Sequence, residues 1–261
     1  MGMRFELLWN PRTGRGFMLK QLLAELNMKG SLQALETISG QIKRGEEFSV
    51  ALLQAERDYR CHRALERRVC SAKFPTNKRW DEIDPTLNPK IDFKAVKNLG
   101  YGDFIGRKEN LCLMGQQGTG KSHSLVALGR QVCESGYSVK FYTASSLVNA
   151  LEEARERHKL GKFMQDIVKP SLLIIDELGF VPFSERGAAL LFDVFASRYE
   201  RGSIAVSTNL SFEKWKQIFG SVELTAAIVD RFTHNAHIYV YEGESVRLRQ
   251  AKKKNQKEIT K

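Results

Sequence analysis

Residues 115–122, GQQGTGKS, constrain the fold of this chain more than any other stretch. They match the pattern G-x-x-x-x-G-K-[ST], in which a glycine-rich turn wraps its backbone N–H groups around a phosphate. Glycine suits positions 115 and 120 because positive φ costs it little. The pattern predicts that Lys121 reaches the β- and γ-phosphates of a nucleotide and that the hydroxyl of Ser122 ligates Mg²⁺.

The sequence on each side of this loop supports that prediction. The apolar run 111–114 is typical of a buried strand, and the spacing of Leu125, Leu128 and Val132 after the loop is helical. The alternative is a chance glycine-rich turn, which would not need a strand before it and a helix after it. The residues predicted to surround the nucleotide are Gly115, Gln116, Gln117, Gly118, Thr119, Gly120, Lys121, Ser122 and His123.

An acidic pair follows a second apolar run. Residues 172–175 are continuously apolar, as expected of a strand covered on both faces, and Asp176 and Glu177 come next. Doubly wound sheets bind ligands at the carboxyl ends of their strands. We expect Asp176 to hold Mg²⁺ and Glu177 to polarise an attacking water. The alternative is a solvated turn after a core strand.

A third apolar run, in the segment SIAVSTNL, ends in the polar triplet STN at residues 207–209. The amide of Asn209 is a candidate to hydrogen-bond both the attacking water and the γ-phosphate. The alternative is an Asx turn before a helix capped by Ser211, and the triplet taken alone favours that alternative.

Several segments occur together in an order that resembles the IstB family, the ATPase helpers of insertion-sequence transposition, which are related to the bacterial helicase loader DnaC. The segments are LLAELNMKGSLQALE at 22–36, the glycine-rich loop, LLIIDELG, STN, AAIVDRF and GESVRLR. The resemblance runs from about Met18 to about Gln250. The loop alone is widespread, whereas the combination with MKG, DELG and GES-x-RL is far more specific.

The resemblance implies an α/β protein with an AAA+ P-loop NTPase core, a parallel sheet flanked by helices, and a small all-helical N-terminal domain. It also implies an ATPase that uses ATP and Mg²⁺, forms a homo-oligomer on duplex DNA and works with a cognate transposase. Arg231 would act in trans on the nucleotide of a neighbouring subunit, and Arg247 would act as a sensor near the γ-phosphate. The alternative for each arginine is a surface salt bridge. Loading of a replicative helicase, as by DnaC, is the alternative function.

The expected domain organisation has five parts. Residues 1–17 do not fit the opening of the family and form an atypical extension, and residues 18–74 form the helical domain for DNA and oligomer contacts. The proline-punctuated stretch 75–90 is the expected linker. The ATPase domain spans 91–249, with a reduced or absent lid because few residues follow Asn209. Residues 250–261 form a basic tail.

Two finer predictions concern the ends of these domains. The first predicted helix has one apolar face made by Leu19, Leu22, Leu23 and Leu26. The segment HIYVYEGESVRLR at 237–249 is predicted to form two strands around a turn.

The chain is basic, with 41 Lys and Arg against 30 Asp and Glu and a net charge of +11. This excess indicates a polyanionic partner. One helical stripe of arginines is the candidate DNA contact, and a solvated helix face is the alternative. The stripe consists of Arg57, Arg60, Arg63 and Arg67.

Composition and motifs also bear on other classes of protein. No apolar run approaches the ~18 residues of a membrane span, so we expect a cytoplasmic protein. The four cysteines show no C-x-x-C pairing and are expected to be reduced. A small-molecule kinase is disfavoured, because it has no use for a water-polarising Glu177. A DNA clamp that binds nucleotide without hydrolysis stays open.

Overall fold

The computed structural model describes residues 15–41, 45–243, 245–246 and 248–249. The chain divides into two compact units, Met1–Arg67 and Arg68–Lys261. None of the helices within these described ranges is long and apolar enough to cross a membrane.

The first unit is helical. Its helices are α1 (Arg15–Glu25), α2 (Lys29–Gln41) and the greater part of α3 (Gly45–Ala72). Leu23, Leu35 and Leu52, one from each helix, form its buried centre. Of the predicted apolar face of α1, only Leu23 is fully buried, whereas Leu22 and Leu26 are 46% and 65% exposed. That part of the prediction was wrong, because this small core needs only one residue of each turn of α1.

A buried carboxylate fixes the start of α2. Glu56 on α3 accepts hydrogen bonds from the backbone N–H groups of Gly30 (2.7 Å) and Ser31 (3.2 Å), which the first turn of a helix cannot satisfy internally. Burial alone would raise the pKa of Glu56, but hydrogen bonds from Arg60, Ser31 and Gly30 lower it below its usual value. A Cβ at Gly30 would collide with Tyr59, so glycine permits the close approach of α2 and α3.

The second unit is an α/β fold built on one parallel sheet. Its five strands have the order β2-β3-β4-β1-β5. The strands are β1 (Asn110–Gly115), β2 (Val139–Thr143), β3 (Leu172–Leu178), β4 (Ser203–Thr208) and β5 (Ala236–Tyr241). The helices are α4 (Phe93–Leu99), α5 (Asp103–Gly106), α6 (Lys121–Glu134), α7 (Ala144–Glu156), α8 (Leu160–Val168), α9 (Glu185–Arg198), α10 (Lys216–Phe219) and α11 (Val222–Thr233). A parallel sheet flanked by helices, together with a helical N-terminal region, confirms the predicted fold class.

Burial along the strands follows from their place in the sheet. Residues 172–176 of β3 and all of β4 are buried, because helices cover both faces of a parallel sheet. On the edge strand β5, Ile238 and Val240 are 45% and 52% exposed. All strands run in the same direction, so their carboxyl ends meet at one edge, called here the carboxyl edge, and their amino ends at the other, the amino edge.

A buried arginine closes the amino edge. The guanidinium of Arg198, at the end of α9, is 1% exposed and donates five hydrogen bonds to backbone carbonyl oxygens. These carbonyls belong to Ile167, Val168, Pro170, Ser171 and Ser203. Burial lowers the pKa of Arg198 to about 10. The side chain therefore ties the end of α8 to the starts of β3 and β4.

The boundary between the units differs from the predicted end of the helical domain at residue 74. It lies between Arg67 and Arg68, because the last residues of α3 are bonded to the sheet unit. Arg68 donates to the carbonyl of Cys133 (2.8 Å), and Lys140 donates to the carbonyl of Ser71 (3.0 Å). The predicted linker, 75–90, lies within the second unit and contains two 3-10 turns, Trp80–Glu82 and Pro85–Leu87.

The predicted hairpin at 237–249 was wrong. Only its first half is a strand, β5, which pairs in parallel with β1. The chain bends at Gly243, and Ser245 starts a helical turn by accepting from the N–H of Leu248 at 3.3 Å. The alternating apolar residues Val246 and Leu248 predicted a strand, but the capping hydrogen bond of Ser245 favours a helical turn instead.

The cysteines are free thiols. Cys61 and Cys70 are exposed, while Cys112 on β1 and Cys133 on α6 are buried. Burial raises the pKa of the Cys112 thiol to about 12, so it packs as a small apolar side chain.

Candidate nucleotide site

The glycine-rich loop joins β1 to α6 at the carboxyl edge. Gly115, Gly118 and Gly120 have φ of 148°, 77° and 103°, in the region where glycine is favoured. At Gly120 a Cβ would meet nothing within 4 Å, so the backbone angle rather than space is what requires glycine there. The result is a backbone cradle at the N-terminus of α6, which attracts anions.

Lys121 is the first residue of α6 and is 5% exposed. Its ammonium donates to the carbonyl oxygens of Gly115 (2.7 Å) and Gln116 (2.6 Å). Burial lowers the pKa of Lys121 to about 8, and the nearby Asp176 partly offsets this effect. A phosphate beside the ammonium would favour its charged form, so this cation is suited to an anionic ligand.

Asp176 meets the loop through a hydroxyl. The carboxylate is 4% exposed, and the Ser122 hydroxyl donates to its Oδ1 at 3.0 Å. The hydroxyl of Ser207 on β4 donates to the same oxygen. Within the described residues no three His, Cys, Asp or Glu side chains cluster as a ready-made metal cage. One hydroxyl with one buried carboxylate instead fits Mg²⁺ held in part by phosphates and water.

Glu177 sits in a bulge of β3. The β3–β4 register shifts between Ile175 and Leu178, and Glu177 takes a left-handed φ of 60°. Its N–H donates to the Ser207 hydroxyl at 3.0 Å, and its side chain is exposed. Left-handed non-glycine residues concentrate at functional sites. The bulge therefore presents the Glu177 carboxylate at the carboxyl edge.

These groups share one cavity of about 510 Å³, a volume suited to a small-molecule ligand. Of the predicted site residues it is lined by Gln117, Gly118, Thr119, Gly120, Lys121, Ser122, His123, Asp176 and Glu177. Gly115 and Gln116 are not part of its lining, but both supply a carbonyl to Lys121.

Part of the cavity wall was not predicted from the sequence. It includes Asn88, from the predicted linker, and Phe93, the first residue of α4. The Asn88 side-chain amide donates to the carbonyl of Thr119 (3.2 Å), and the ring of His123 contacts the carbonyl of Arg79 (2.8 Å). The prolines of the segment suggested a spacer, and no motif marks Asn88, because its contact depends on the folded path of the chain.

Asn209 follows the end of β4 but does not line the cavity. Its Oδ1 is buried and has no hydrogen-bond partner in the described part of the chain. The local turn is made by Thr208, whose hydroxyl accepts from the N–H of Leu210 at 3.1 Å. Ser211 precedes the next turn without a side-chain capping bond. The role of Asn209 toward nucleotide therefore stays a prediction.

The structure keeps Arg231 away from the cavity of its own chain. It lies in the last turn of α11, with its guanidinium 5.4 Å from the ring centre of Phe192. It lines a small pocket with Asn110 and Ile204, near the starts of β1 and β4, and so lies at the amino edge. Arg247 falls outside the described residues. Its neighbour Val246 lines the cavity and donates its N–H to the carbonyl of Gly118 at 2.9 Å.

The arginine stripe lies on the exposed side of α3. Three of its four members have acidic neighbours. Arg57 pairs with Asp58 (3.1 Å), Arg60 with Glu56 (2.6 Å) and Arg63 with Glu66 (2.8 Å). The pairs made by Arg57 and Arg63 are exposed on both sides and contribute little, whereas Arg60 is bonded to the buried Glu56. The stripe is accessible, and its contact with DNA stays a prediction.

Comparison with known proteins places these features in a family. A sequence model described as "IstB-like ATP binding protein" matches residues 21–254. The chain is similar to the "Insertion sequence IS5376 putative ATP-binding protein" of Geobacillus stearothermophilus, at 37% identity over 81% of this chain and 84% of that protein. It is also similar to the "Insertion sequence IS21 putative ATP-binding protein" of Pseudomonas aeruginosa, at 34% identity over 90% of each.

A solved structure shows the same fold at low identity. The crystal structure of the DnaC helicase loader matches with a TM-score of 0.50 and 18% identity, over 67% of this chain and 99% of that one. This likeness concerns the AAA+ fold alone. The family match covers nearly the whole chain, and the glycine-rich loop and the acidic pair lie at the edge of the sheet where such a fold binds ligands. The chain therefore belongs to the IstB-like ATP-binding protein family.

Proposed function

We propose that this chain binds ATP with Mg²⁺ at the carboxyl edge and hydrolyses it. The observation that carries the proposal is the convergence of Lys121 and Asp176 on one cavity that Glu177 also lines. Lys121 would contact the β- and γ-phosphates, and Ser122 and Asp176 would hold the metal directly or through water. Bound Mg²⁺ would offset the phosphate charge. Glu177, exposed in the cavity, would orient and polarise the attacking water.

The proposed reaction is completed by a second copy of the chain. Arg231 lies at the amino edge, so it does not reach the cavity of its own chain. An arginine supplied by a neighbour stabilises the charge on the transferring phosphoryl group and makes turnover depend on assembly. This arrangement supports a homo-oligomer in which the amino edge of one subunit serves the carboxyl edge of the next.

The proposed setting is insertion-sequence transposition in the cytoplasm, with duplex DNA as the assembly platform and the cognate transposase as partner. The names of the IS5376 and IS21 relatives support this setting. The net charge of +11 and the exposed arginine stripe of α3 support a polyanionic partner. Helicase loading is less well supported, because the likeness to DnaC concerns fold only.

The deciding experiment measures ATP turnover by the purified chain alone, with duplex DNA, and with duplex DNA plus the proposed cognate transposase. A replicative helicase replaces the transposase in a matched arm. We expect turnover per subunit to rise with protein concentration and with duplex DNA, and the transposase to change it further. Turnover that responds to the helicase and ignores both duplex DNA and transposase would favour a loader instead. Bound ATP with no hydrolysis in any arm would indicate a passive clamp.

A further inference from the structure

Ser207 on β4 lies opposite the acidic pair. Ile175 pairs with Val206 and Leu178 pairs with Thr208, so β3 has one more residue than β4 between these pairs. Asp176 and Glu177 together therefore face the single residue Ser207. An arrangement of two residues against one is a β-bulge, and bulges re-aim side chains near active sites.

The hydroxyl of Ser207 is bonded to both members of the pair. It donates to Oδ1 of Asp176 and accepts from the N–H of Glu177 at 3.0 Å. The directions are fixed, because a carboxylate can only accept and a backbone N–H can only donate. The side chain is 1% exposed, so water does not compete for these bonds. A single buried hydroxyl thus fixes both the carboxylate of Asp176, the proposed metal ligand, and the backbone of Glu177, which is proposed to polarise the water.

The backbone of Glu177 needs such a restraint. Its φ of 60° is left-handed, a conformation that a residue with a side chain adopts only when its surroundings impose it. The bond from its N–H to Ser207 is available in this conformation and satisfies a donor that the bulge removes from the regular β3–β4 ladder. Without the hydroxyl, Glu177 would gain access to ordinary strand angles that aim its carboxylate elsewhere.

We infer that Ser207 is a positioning residue for ATP hydrolysis, which holds Asp176 and Glu177 in the geometry that turnover needs. This inference rests on the proposed function and adds to it a residue in the wall of the same cavity that acts through the two carboxylates. Groups that orient metal ligands and catalytic side chains in this way are worth roughly 10- to 100-fold in activity or metal affinity. Ser207→Ala therefore lowers kcat by that factor and leaves KM for ATP nearly unchanged.

The same strand offers a matched control. Ser203 lies four residues before Ser207 on β4, so it is on the same face, and it is also fully buried. Its hydroxyl has no hydrogen-bond partner in the part of the chain that the structure describes. Ser203→Ala therefore removes the same atom from the same strand without touching the acidic pair. Ser207→Cys keeps the approximate shape of serine but is a poor hydrogen-bond donor, and it separates packing from hydrogen bonding.

The experiment compares four full-length chains: wild type, Ser207→Ala, Ser207→Cys and Ser203→Ala. It measures kcat and KM for ATP, the Mg²⁺ concentration for half-maximal binding of a non-hydrolysable ATP analogue, and the affinity of that analogue in EDTA. We expect both Ser207 variants to lose kcat and to need more Mg²⁺, with unchanged affinity in EDTA. Their melting temperature should fall by no more than several degrees, because two buried hydrogen bonds are lost or weakened. Ser203→Ala should match wild type throughout.

Hydrogen exchange provides a readout independent of turnover. In the nucleotide-free chain the Glu177 amide should exchange faster in Ser207→Ala than in wild type or Ser203→Ala, because its acceptor is gone. Wild-type kcat, Mg²⁺ dependence and Glu177 exchange in Ser207→Ala would overturn the inference. Equal losses in Ser203→Ala would also overturn it, as a general effect of the strand. If wild type itself never hydrolyses ATP, the proposed function fails, and the Mg²⁺ and exchange measurements still decide the role of Ser207.

Discussion

The two edges of the sheet each hold a buried cation, and the two cations differ in what surrounds them. At the carboxyl edge, Lys121 gives two of its three N–H donors to carbonyl oxygens of the loop and lines a cavity of about 510 Å³. At the amino edge, the terminal nitrogens of Arg198 are committed to five carbonyl oxygens. Burial of a positive charge is therefore not by itself a sign of a ligand site. A spare donor does not distinguish the two sites, because Nε of Arg198 also has no acceptor among the described residues. The space does, with about 510 Å³ beside Lys121 against about 20 Å³ in the pocket that Arg198 lines.

The largest expected effect tests whether the amino edge acts only on a neighbour. Arg231→Ala should bind ATP normally and hydrolyse it roughly 10³-fold more slowly, because the charge on the transferring phosphoryl group loses its stabilising arginine. Mixing it with Lys121→Ala should restore part of the turnover, since a chain with an intact loop can then meet a chain with an intact Arg231. Steady-state ATPase assays over a range of mixing ratios measure this. A mixture without activity, together with turnover per subunit that is flat with concentration, would place the whole reaction within one chain.

The next prediction tests whether Arg198 stabilises the fold rather than binding a ligand. Arg198→Leu leaves several backbone carbonyls buried without donors, which should cost roughly 3 kcal/mol of unfolding free energy. For a unit of this size that lowers the melting temperature by roughly 10 °C, as followed by circular dichroism. Arg201→Leu, a change at an exposed arginine three residues on, is the control and should melt like wild type. If Arg198→Leu melts normally but binds ATP poorly, Arg198 serves ligand binding rather than stability, and the contrast between the two edges is wrong.

A third test uses two glutamates with the same unusual backbone. Glu177 and Glu200 have φ of 60° and 57°, at the carboxyl and amino edges respectively. Glu177→Gln should keep ATP affinity and lose about 10²-fold in kcat, because the amide cannot polarise water as the carboxylate does. Glu200→Gln should leave kcat unchanged in the same assay. Equal rates for wild type and Glu177→Gln would remove Glu177 from the mechanism.

The smallest effect concerns pH. The pKa of Lys121 is lowered to about 8 by burial, and a bound phosphate would raise it again, so binding takes up a proton above pH 8. ATP affinity should therefore fall by about tenfold between pH 7 and pH 9, as measured by titration calorimetry. Lys121→Met should bind more weakly and show no such fall. A wild-type affinity that is flat over this interval would mean that Lys121 is already fully charged in the free loop.

The features that sequence predicted best are contiguous. The cradle at 115–122 and the pair Asp176–Glu177 each consist of a strand followed at once by its polar residues, so the local pattern carries the geometry. The family resemblance added Arg231, which no local pattern marks as functional.

The features that sequence missed depend on distant parts of the chain. Ser207 meets the pair across 31 residues, and Asn88 meets the loop across 31 residues. No local pattern marks Arg198, because its five acceptors come together only in the folded unit. The hairpin prediction failed for a different reason, because alternation over a few residues at 245–249 is a weak signal beside a single capping serine.

The position of β1 in the sheet has a consequence for how the protein is made. β1 pairs with β4 on one side and β5 on the other, and its first residue, Asn110, already contacts Ile204, 94 residues further on. The ribosome therefore releases the glycine-rich loop long before the two strands that support it. A nascent chain stopped before Ala236–Tyr241 lacks one neighbour of β1, and such long-range pairing forms slowly. The helical unit can fold before the sheet is made, whereas competence for nucleotide is acquired only after β5 has been synthesised.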